Sequence, residues 1–419
     1  GRKAPARTYS NLLKNPHDEA LFEHYLQSEL VHVALDGSTR KLTDADIVDE
    51  ATASPDGQWL MVETLHRPWS YHVSASRFPK QTRVLSMDDP EQTVTIEDLP
   101  LADDIPIARG SVRTGKRSVS WRADLPATLY AIEALDGGDA AAEADKRDQL
   151  SLLSAPFRDE FAPIWASELR INSVMWGDAD FAMAWTWRWN DRLLRTWHLD
   201  PSGKNEATLM NARSFQDNYS DPGSPLTRQG PHGWGVIHQV DDGILMSGRG
   251  IRPDGVRPFL DVMDRETGQS RTIWKADASH HETLTAVVDR EATQFITRRQ
   301  SQVEPPNYQL RTKGQEEAIG LTEFKDWAPQ FSKVQKELVT YTRADGVELQ
   351  ARVYTPPGWK PSKGPLPTVF WAYPNEFKSK KDAGQKTKSE NVFNRPSAHS
   401  PLWFCLQGYA VVDDPTMPI

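Results

Sequence analysis

The chain has 419 residues, which is more than one ordinary hydrophobic core accommodates, so two domains or one large repeat architecture is expected. Its 49 basic and 58 acidic residues give a formal net charge of −9, which disfavours nucleic acids and anionic membrane surfaces as partners. No stretch approaches about 18 uninterrupted apolar residues, so we expect a soluble chain. The sequence does not begin with methionine, and the compartment, cytoplasmic or periplasmic, stays open.

The chain begins with a predicted helix over residues 17–27. Acidic residues follow Pro16, and Leu21, Phe22, Tyr25 and Leu26 are then expected to share one face of a helix. At the other end of the sequence, the single cysteine, Cys405, excludes an internal disulfide and is predicted to be a small buried side chain.

From Leu30 to about Phe324 the pattern changes to short strands separated by Asp-Gly and similar turns. A strand, an acidic turn and a second strand recur about every 55 residues, a period that suits one blade of a β-propeller with modest insertions. About five such units are expected, and an extended sandwich or several small β domains would show similar turns. The recurring pairs lie at 54–63, 118–132, 173–185, 234–246 and 284–297.

A different order begins after a connecting segment at 326–336. Two strands joined by an Asp-Gly turn precede the apolar strand Thr368–Tyr373, and a helix over 400–407 and a strand over 409–412 follow. This order is typical of the start of an α/β-hydrolase sheet. The sequence therefore predicts a mostly β chain, with a partial β-propeller over 1–325 and the N-terminal part of an α/β-hydrolase domain over 326–419.

Tyr373 is the strongest candidate for a chemical role. It stands at the C-terminal end of a strand predicted to be buried and central, where ligands gather in open α/β sheets. A phenol there can donate a hydrogen bond to a developing oxyanion. The alternative is a core aromatic residue whose hydroxyl meets a backbone carbonyl.

Several runs of the sequence resemble the glutamyl endopeptidase branch of the prolyl oligopeptidase-like serine peptidases. The likeness covers nearly the whole chain, and the runs are long and unusual in composition. They lie at 8–23, 66–71, 77–79, 99–106, 121–124, 219–223 and 373–380.

The resemblance implies a seven-bladed propeller that caps an α/β-hydrolase domain and a Ser-Asp-His triad in the cavity between them. The residues of this sequence that match the family's runs include none of the three, because the Gly-x-Ser-x-Gly elbow and its partners would lie beyond Ile419, and the first blades would lie upstream. The resemblance places the oxyanion tyrosine at Tyr373. It implies acyl transfer in the full-length protein, and we expect these 419 residues alone to be inactive.

A preference for glutamate before the scissile bond requires fixed positive charge, for which arginine is well suited. Arg67, Tyr71 and Arg77 are the candidate substrate-binding residues, although the two arginines, if they are exposed rim residues, would have no such role. The weaker candidates are Arg113, Arg117 and Arg122.

Other polar clusters favour structural interpretations. His280, His281 and Glu282 lack the spacing of a helical zinc motif, so a solvated turn is expected. An acidic cluster lacks the glycine of a calcium loop, and a lysine cluster is expected to be a solvated loop edge. These two clusters are Asp44, Asp46, Asp49 and Glu50, and Lys378, Lys380 and Lys381.

The sequence thus predicts a serine-type peptidase with peptide substrates and without a metal or other cofactor, and it leaves the oligomeric state open. Two other classes stay open. One is a non-catalytic propeller that binds peptides or proteins, and the other is a dipeptidyl aminopeptidase or esterase on the same scaffold.

Overall fold

A computed structural model describes residues 9–106, 108–241 and 243–418 of the chain. Thr8, which opens the first family-like run, lies outside the described residues. The chain divides into two compact units. The first comprises the residues up to Asn190 with Arg195–Asn211 and Thr227–Val236, and the second comprises Asp191–Leu194, Ala212–Leu226 and the residues from Ile237 onwards.

The first element is helix α1 (Pro16–Leu26), so the helix predicted over 17–27 is present and begins one residue earlier. The Asn15 side chain caps it by accepting hydrogen bonds from the backbone N–H groups of His17 and Asp18, at 2.9 and 3.0 Å. Phe22 packs edge-on against Trp69 and Phe78, with ring centroids 5.1 and 5.7 Å apart. These aromatic contacts attach α1 to the loop that contains Trp69 and Phe78.

The first sheet has the strand order β1-β4-β5-β6-β7, and β2 and β3 form a separate hairpin. The predicted turn at 54–58 joins β4 to β5, and the Asp56 carboxylate stabilises it by accepting a hydrogen bond from the Gln58 N–H at 3.0 Å. The strands are β1 (Gln27–Ser28), β2 (Val31–Val33), β3 (Thr39–Lys41), β4 (Asp46–Ala53), β5 (Trp59–Leu65), β6 (Lys80–Ser86) and β7 (Thr93–Leu99).

The second and third sheets each have four strands in simple succession. The second contains β8 (Lys116–Trp121), β9 (Thr128–Ala134), β10 (Asp148–Ser154) and β11 (Ala162–Ser167), and the third contains β12 (Arg170–Asp178), β13 (Phe181–Arg188), β14 (Leu193–Leu199) and β15 (Thr208–Ser214). Apolar side chains of neighbouring sheets pack together, with Met61 against Leu129 and Trp121 in one cluster and Leu150 against Trp176 in the next.

The fourth sheet is less regular than predicted. Its order is β16-β20-β23-β24 with β19 beside β20, while β17 pairs with β18 and β21 with β22. The strand predicted over 234–238 therefore does not form the simple pair with 243–246. The strands are β16 (Ser224–Pro225), β17 (Thr227–Gln229), β18 (Gly235–Ile237), β19 (Gln239–Val240), β20 (Gly243–Gly248), β21 (Ile251–Arg252), β22 (Gly255–Val256), β23 (Phe259–Met263) and β24 (Ser270–Lys275).

The fifth sheet returns to four strands in succession. Phe295 of this sheet packs with Leu245 and Leu260 of the fourth sheet in one buried cluster. The strands are β25 (His281–Val287), β26 (Gln294–Gln300), β27 (Asn307–Thr312) and β28 (Ala318–Gly320).

The last sheet is mixed, with the order β29-β30-β32-β31, and β31 runs parallel to β32. Its strands are β29 (Gln335–Thr342), β30 (Glu348–Thr355), β31 (Thr368–Trp371) and β32 (Ala410–Asp413), and helix α2 (Lys380–Ala383) lies between β31 and β32. The helix predicted over 400–407 is a 3-10 helix, Pro401–Gln407. Cys405 is buried there beside Phe331 and Val411, as predicted.

These elements confirm a mostly β chain. Within the described residues the pairings define five successive larger β sheets, three two-stranded ones and a mixed sheet, but they do not assign a closed ring, and the propeller stays a prediction. The domain boundary predicted at 325/326 lies inside the second unit, where the fifth sheet gives way to the mixed sheet, and it also stays a prediction. Among the described residues, no helix is both long and apolar enough to cross a membrane.

Candidate functional site

Tyr373 follows the carboxyl end of β31, and its side chain is 80% exposed. The strand itself differs from the prediction of a buried, central strand. Within the described residues β31 is the edge of the mixed sheet, and Phe370 and Trp371 are 70% and 55% exposed. Parallel strands are normally buried because other segments cover them. No described segment covers β31, and this explains why the strand is exposed and not buried as predicted.

The segment after Tyr373 is fixed by the side-chain amide of Gln216. Its Nε2 donates a hydrogen bond to the backbone carbonyl of Glu376 at 2.6 Å, and its Oε1 accepts one from the backbone N–H of Lys378 at 2.9 Å. One amide that both donates and accepts determines the path of the backbone. On the Tyr373 side of this contact, the Asn375 N–H donates to the carbonyl of Met417 at 3.0 Å.

An ion pair adds to this attachment. The guanidinium of Arg192, whose side chain is 3% exposed, contacts the carboxylate of Glu376, whose side chain is 58% exposed. A largely desolvated arginine requires a partner charge, so the pair favours one position of the Glu376 backbone.

The residues around α2 are held by the same part of the chain as Gln216. Gln385 Oε1 accepts a hydrogen bond from the Asn218 N–H at 2.7 Å, and the hydroxyl of Tyr219 accepts one from the Lys386 N–H at 2.8 Å. The Ser214 hydroxyl donates to the Asp382 carboxylate at 3.2 Å. Residues 214–219 thus fix two stretches of the segment that follows Tyr373, and we call residues 214–219 the anchor segment.

Arg67 and Tyr71 are brought together by α1 in the first unit. The Arg67 guanidinium forms salt bridges with Glu19 and Glu23, both at 2.7 Å, and the Tyr71 hydroxyl donates to Glu19 at 2.6 Å. These contacts lower the pKa of Glu19, Tyr71 contributing most, and raise the pKa of Arg67. Substrate binding by either residue stays a prediction, and it requires a substrate to compete with the carboxylates of α1.

Arg77 and Arg113 contact backbone carbonyls. Neither guanidinium lies within ion-pair distance of a carboxylate of the described residues. Arg77 donates to the carbonyls of Ala102 and Ile105 at 3.3 and 3.4 Å, and Arg113 donates to that of Pro100 at 2.7 Å. Both side chains therefore stabilise the loop that begins at Pro100. Burial lowers the pKa of Arg113.

The other two arginine candidates are paired. Arg122 forms a buried, two-bond salt bridge with Asp124, at 3.1 and 2.6 Å, and lies over the ring of Trp176 at 4.3 Å. Arg117 contacts the fully buried Asp148. The family-like run at 121–124 therefore has a structural role within the described residues.

The solvated turn expected at His280, His281 and Glu282 is wrong, because His281 and Glu282 belong to β25 and Glu282 is fully buried, where it pairs with Arg311 at 2.7 Å. His280 contacts the carboxylates of Asp277 and Glu304 at 3.2 and 3.0 Å. The acidic cluster is held by lysines and an arginine: Asp44 by Lys41, Asp46 by Arg83 and Asp49 by Lys80. Among the described residues, no three His, Cys, Asp or Glu side chains are placed to hold a metal ion.

Comparison with known proteins identifies similar sequences. No protein-family model matches the sequence. Over 99% of its length, the chain is 39% identical to a protein of Oryza sativa subsp. japonica named "Probable glutamyl endopeptidase, chloroplastic", and it is 38% identical to an Arabidopsis thaliana protein of the same name. By sequence, the chain is similar over nearly its whole length to proteins named as glutamyl endopeptidases. It spans 46% and 45% of the lengths of these two relatives.

Solved structures add a likeness of fold. A candidate dipeptidyl aminopeptidase IV from Bacteroides ovatus matches with a TM-score of 0.55 and 10% identity, over 93% of this chain and 59% of that one. A prolyl endopeptidase matches with a TM-score of 0.50 and 13% identity, over 93% and 50%. At these identities the likeness concerns the fold alone.

Sequence reasoning missed the residues that hold the segment after Tyr373, namely Gln216, Arg192 and Gln385. The family-like run 219–223 begins three residues after Gln216, and that run was the available signal. Gly223 in this run has φ +84°, and a Cβ there would meet the carbonyl oxygen of Ser247 at 2.5 Å, so glycine is required. A role for the neighbouring glutamine could not be derived from the run itself.

Proposed function

We propose that the full-length protein is a serine-type peptidase that hydrolyses peptide bonds after glutamate in short or unfolded peptides. Identity of 39% to a relative named as a glutamyl endopeptidase, over 99% of this chain, carries the proposal. The fold likeness to peptidases is in keeping with it.

In the proposed architecture, the five successive sheets are blades of a propeller over 1–325, and the mixed sheet begins an α/β-hydrolase domain at 326. The uncovered edge of β31 and the exposed aromatic side chains of Phe370 and Trp371 support a sheet that continues beyond β31 in the full-length protein. The propeller would restrict access, so that folded proteins are excluded and flexible peptides are admitted.

Tyr373 is the proposed oxyanion donor. Its phenol is exposed at the carboxyl end of β31, and the Gln216 contact fixes the backbone three residues later. In acyl transfer the substrate carbonyl oxygen becomes negatively charged, and a phenol O–H placed beside it donates a hydrogen bond that strengthens in the transition state. One donor of this kind contributes about 3 kcal/mol.

The proposed reaction proceeds through an acyl-enzyme that water then hydrolyses. No residue of this chain is assigned to the serine, histidine or aspartate of that mechanism. We therefore propose that residues 1–419 alone are inactive. Arg67, Tyr71 and Arg77 remain proposed contacts to substrate, subject to the competing contacts with α1 and the Pro100 loop.

Two measurements test the proposal. A fluorophosphonate probe should label the full-length protein covalently and leave the 419-residue polypeptide unlabelled. A peptide library should show internal cleavage after glutamate. Release of amino-terminal dipeptides would instead favour a dipeptidyl aminopeptidase, and absence of both labelling and cleavage would favour a non-catalytic peptide-binding propeller.

A further inference from the structure

A cavity of about 630 Å³ in the second unit is lined by basic side chains from three sheets. Arg249 follows the end of β20 in the fourth sheet, His281 begins β25 in the fifth, and Arg352 lies in β30 of the mixed sheet. Backbone and side chains from 387–392 close another side. A cavity of this size accommodates a short peptide segment with its side chain.

The charge of Arg249 is not neutralised by the described residues. Its Nη2 donates to the backbone carbonyl of Thr387 at 2.9 Å, and no described carboxylate lies within 4.0 Å of it. Arg352 is partly neutralised, because its Nη1 lies 3.9 Å from Asp413 and 4.0 Å from Asp414, which is beyond hydrogen-bond distance. Both guanidinium groups can therefore accept a further anionic partner.

His281 lines the same cavity. Its Nδ1 is buried and has no hydrogen-bond partner within the described part of the chain. Burial lowers the pKa of His281, and the positive charges of Arg249, Arg298, Arg352 and Lys336 lower it further. The imidazole is therefore neutral near pH 7, and it can donate one hydrogen bond without requiring a counter-ion.

The acidic groups at this cavity do not cancel its positive charge. Asp221 lines the cavity, but its carboxylate is paired with Arg213 at 2.9 Å. The charge of Glu390 acts to raise the pKa of Lys336, but burial and the charge of Arg352 lower that pKa by more. The remaining field inside the cavity is positive, and arginine forks in such a place match the geometry of a carboxylate.

We propose that this cavity binds a carboxylate of the peptide substrate, with Arg249 and Arg352 as charged donors and His281 as a neutral one. The anion site follows from the cavity and its side chains, whereas the peptide as its source rests on the proposed function. The carboxylate is that of an acidic side chain or of the peptide's C-terminus. In the first unit, by contrast, Arg67 already has two carboxylate partners.

The test is a binding experiment with the full-length protein and three N-acetylated peptides. The first contains glutamate and ends in an amide, the second contains glutamine and ends in a free carboxylate, and the third contains glutamine and ends in an amide. N-methylation of the peptide bond after the variable residue prevents cleavage. Affinities are measured by titration calorimetry for the wild type, Arg249→Gln, and the matched control Arg290→Met. Arg290 is 69% exposed and lies 3.7 Å from Glu291.

We expect the wild type to bind one of the two carboxylate peptides about 10- to 100-fold more tightly than the neutral peptide. Arg249 is an exposed residue, so Arg249→Gln should fold, lose most of that preference, and keep its affinity for the neutral peptide. Arg290→Met should retain the preference. Which carboxylate peptide binds identifies the source of the anion.

Equal binding of all three peptides by the wild type would overturn the proposal, and so would an unchanged preference in Arg249→Gln. If Arg249→Gln does not fold, Arg352→Gln decides the question in the same way. Cleavage of the unmethylated glutamate peptide is measured separately. Selective binding without cleavage would reject the peptidase and keep the anion site. Cleavage without selective binding would keep the peptidase and reject the anion site.

Discussion

The side chain of Gln216 and the backbone of Glu376 are joined by a 2.6 Å hydrogen bond between residues 160 positions apart in the sequence. The same side chain accepts a hydrogen bond from the N–H of Lys378, so both polar groups of one amide are used on one short segment. That segment begins three residues after Tyr373. The anchor segment therefore determines where the backbone after the proposed oxyanion donor runs.

Gln216→Ala should lower turnover of a glutamate peptide by the full-length protein about 10- to 100-fold, because small displacements of a catalytic donor reduce rates by such factors. The effect should fall mainly on kcat, since the substitution removes no substrate contact. Gln216→Glu keeps the acceptor for the Lys378 N–H and loses the donor to the Glu376 carbonyl. Its turnover should therefore lie between that of the wild type and that of Gln216→Ala.

Gln315→Ala, at an exposed turn, is the matched control and should leave turnover unchanged. Unchanged kcat in a folded Gln216→Ala protein would show that the contact has no part in positioning Tyr373.

Tyr373→Phe tests the proposed donor itself. Loss of one oxyanion donor should lower kcat of the full-length protein about 100-fold or more. Because the side chain is 80% exposed in the described residues, the melting temperature should change little. Tyr25→Phe, at a phenol 74% exposed in α1, is the matched control and should keep full activity. A kcat of Tyr373→Phe equal to that of the wild type would remove Tyr373 from the active site.

Much of the fold could be predicted because its signals are local. Apolar patterns around acidic turns identify strand pairs such as β4 with β5 and β12 with β13, and both pairs are present. The fourth sheet was less predictable because two strands of only two residues each, β16 and β19, share one edge of β20, whose other edge pairs with β23. Strands of that length leave no periodic pattern.

The site was only partly predictable for a related reason. The position of Tyr373 at the end of a strand could be derived from the apolar run before it. The contacts of Gln216 and the basic cavity around Arg249 join residues more than a hundred positions apart, and no spacing in one sequence indicates them. The charged partners of Arg67 were equally non-local, since they lie in α1, 44 to 48 positions away.

Lys336 gives a prediction about pH and stability. Burial, with the nearby charge of Arg352, lowers its pKa from 10.5 to about 8. Below about pH 8 the folded protein therefore carries an unfavourable buried charge. Between about pH 8 and 10.5 the folded protein loses this proton while the unfolded chain keeps it, so the cost to stability declines as the pH rises.

Lys336→Met should therefore be most favourable to stability at pH 7, relative to the wild type, and the advantage should diminish toward pH 10. Thermal unfolding of both proteins across this range measures the difference. Lys333→Met, at an exposed lysine, should show no such trend. A melting-temperature difference for Lys336→Met that is constant with pH would contradict the lowered pKa.

A buried charge network between the second and third sheets predicts a large loss of stability. Arg170 contacts Asp148 at 2.8 Å and Asp136 at 2.7 Å, and both carboxylates are fully buried. Asp148→Asn would leave Arg170 and Arg117 without one of their partner charges, which should lower the free energy of unfolding by about 3–5 kcal/mol. Urea unfolding measures it, with the exposed Asp145→Asn as control. A loss below about 1 kcal/mol would show that the network is not desolvated.

Arg67→Met separates the two roles open to that arginine. If Arg67 serves to hold α1 through Glu19 and Glu23, its loss should lower the melting temperature slightly, because these pairs are partly exposed. Selectivity for glutamate over glutamine peptides, measured as the ratio of kcat/KM values, should stay unchanged in the full-length protein. Arg249→Gln should reduce the same ratio about tenfold or more, because it removes an uncompensated charge. A fall in selectivity for Arg67→Met with none for Arg249→Gln would transfer the substrate carboxylate to the site beside α1.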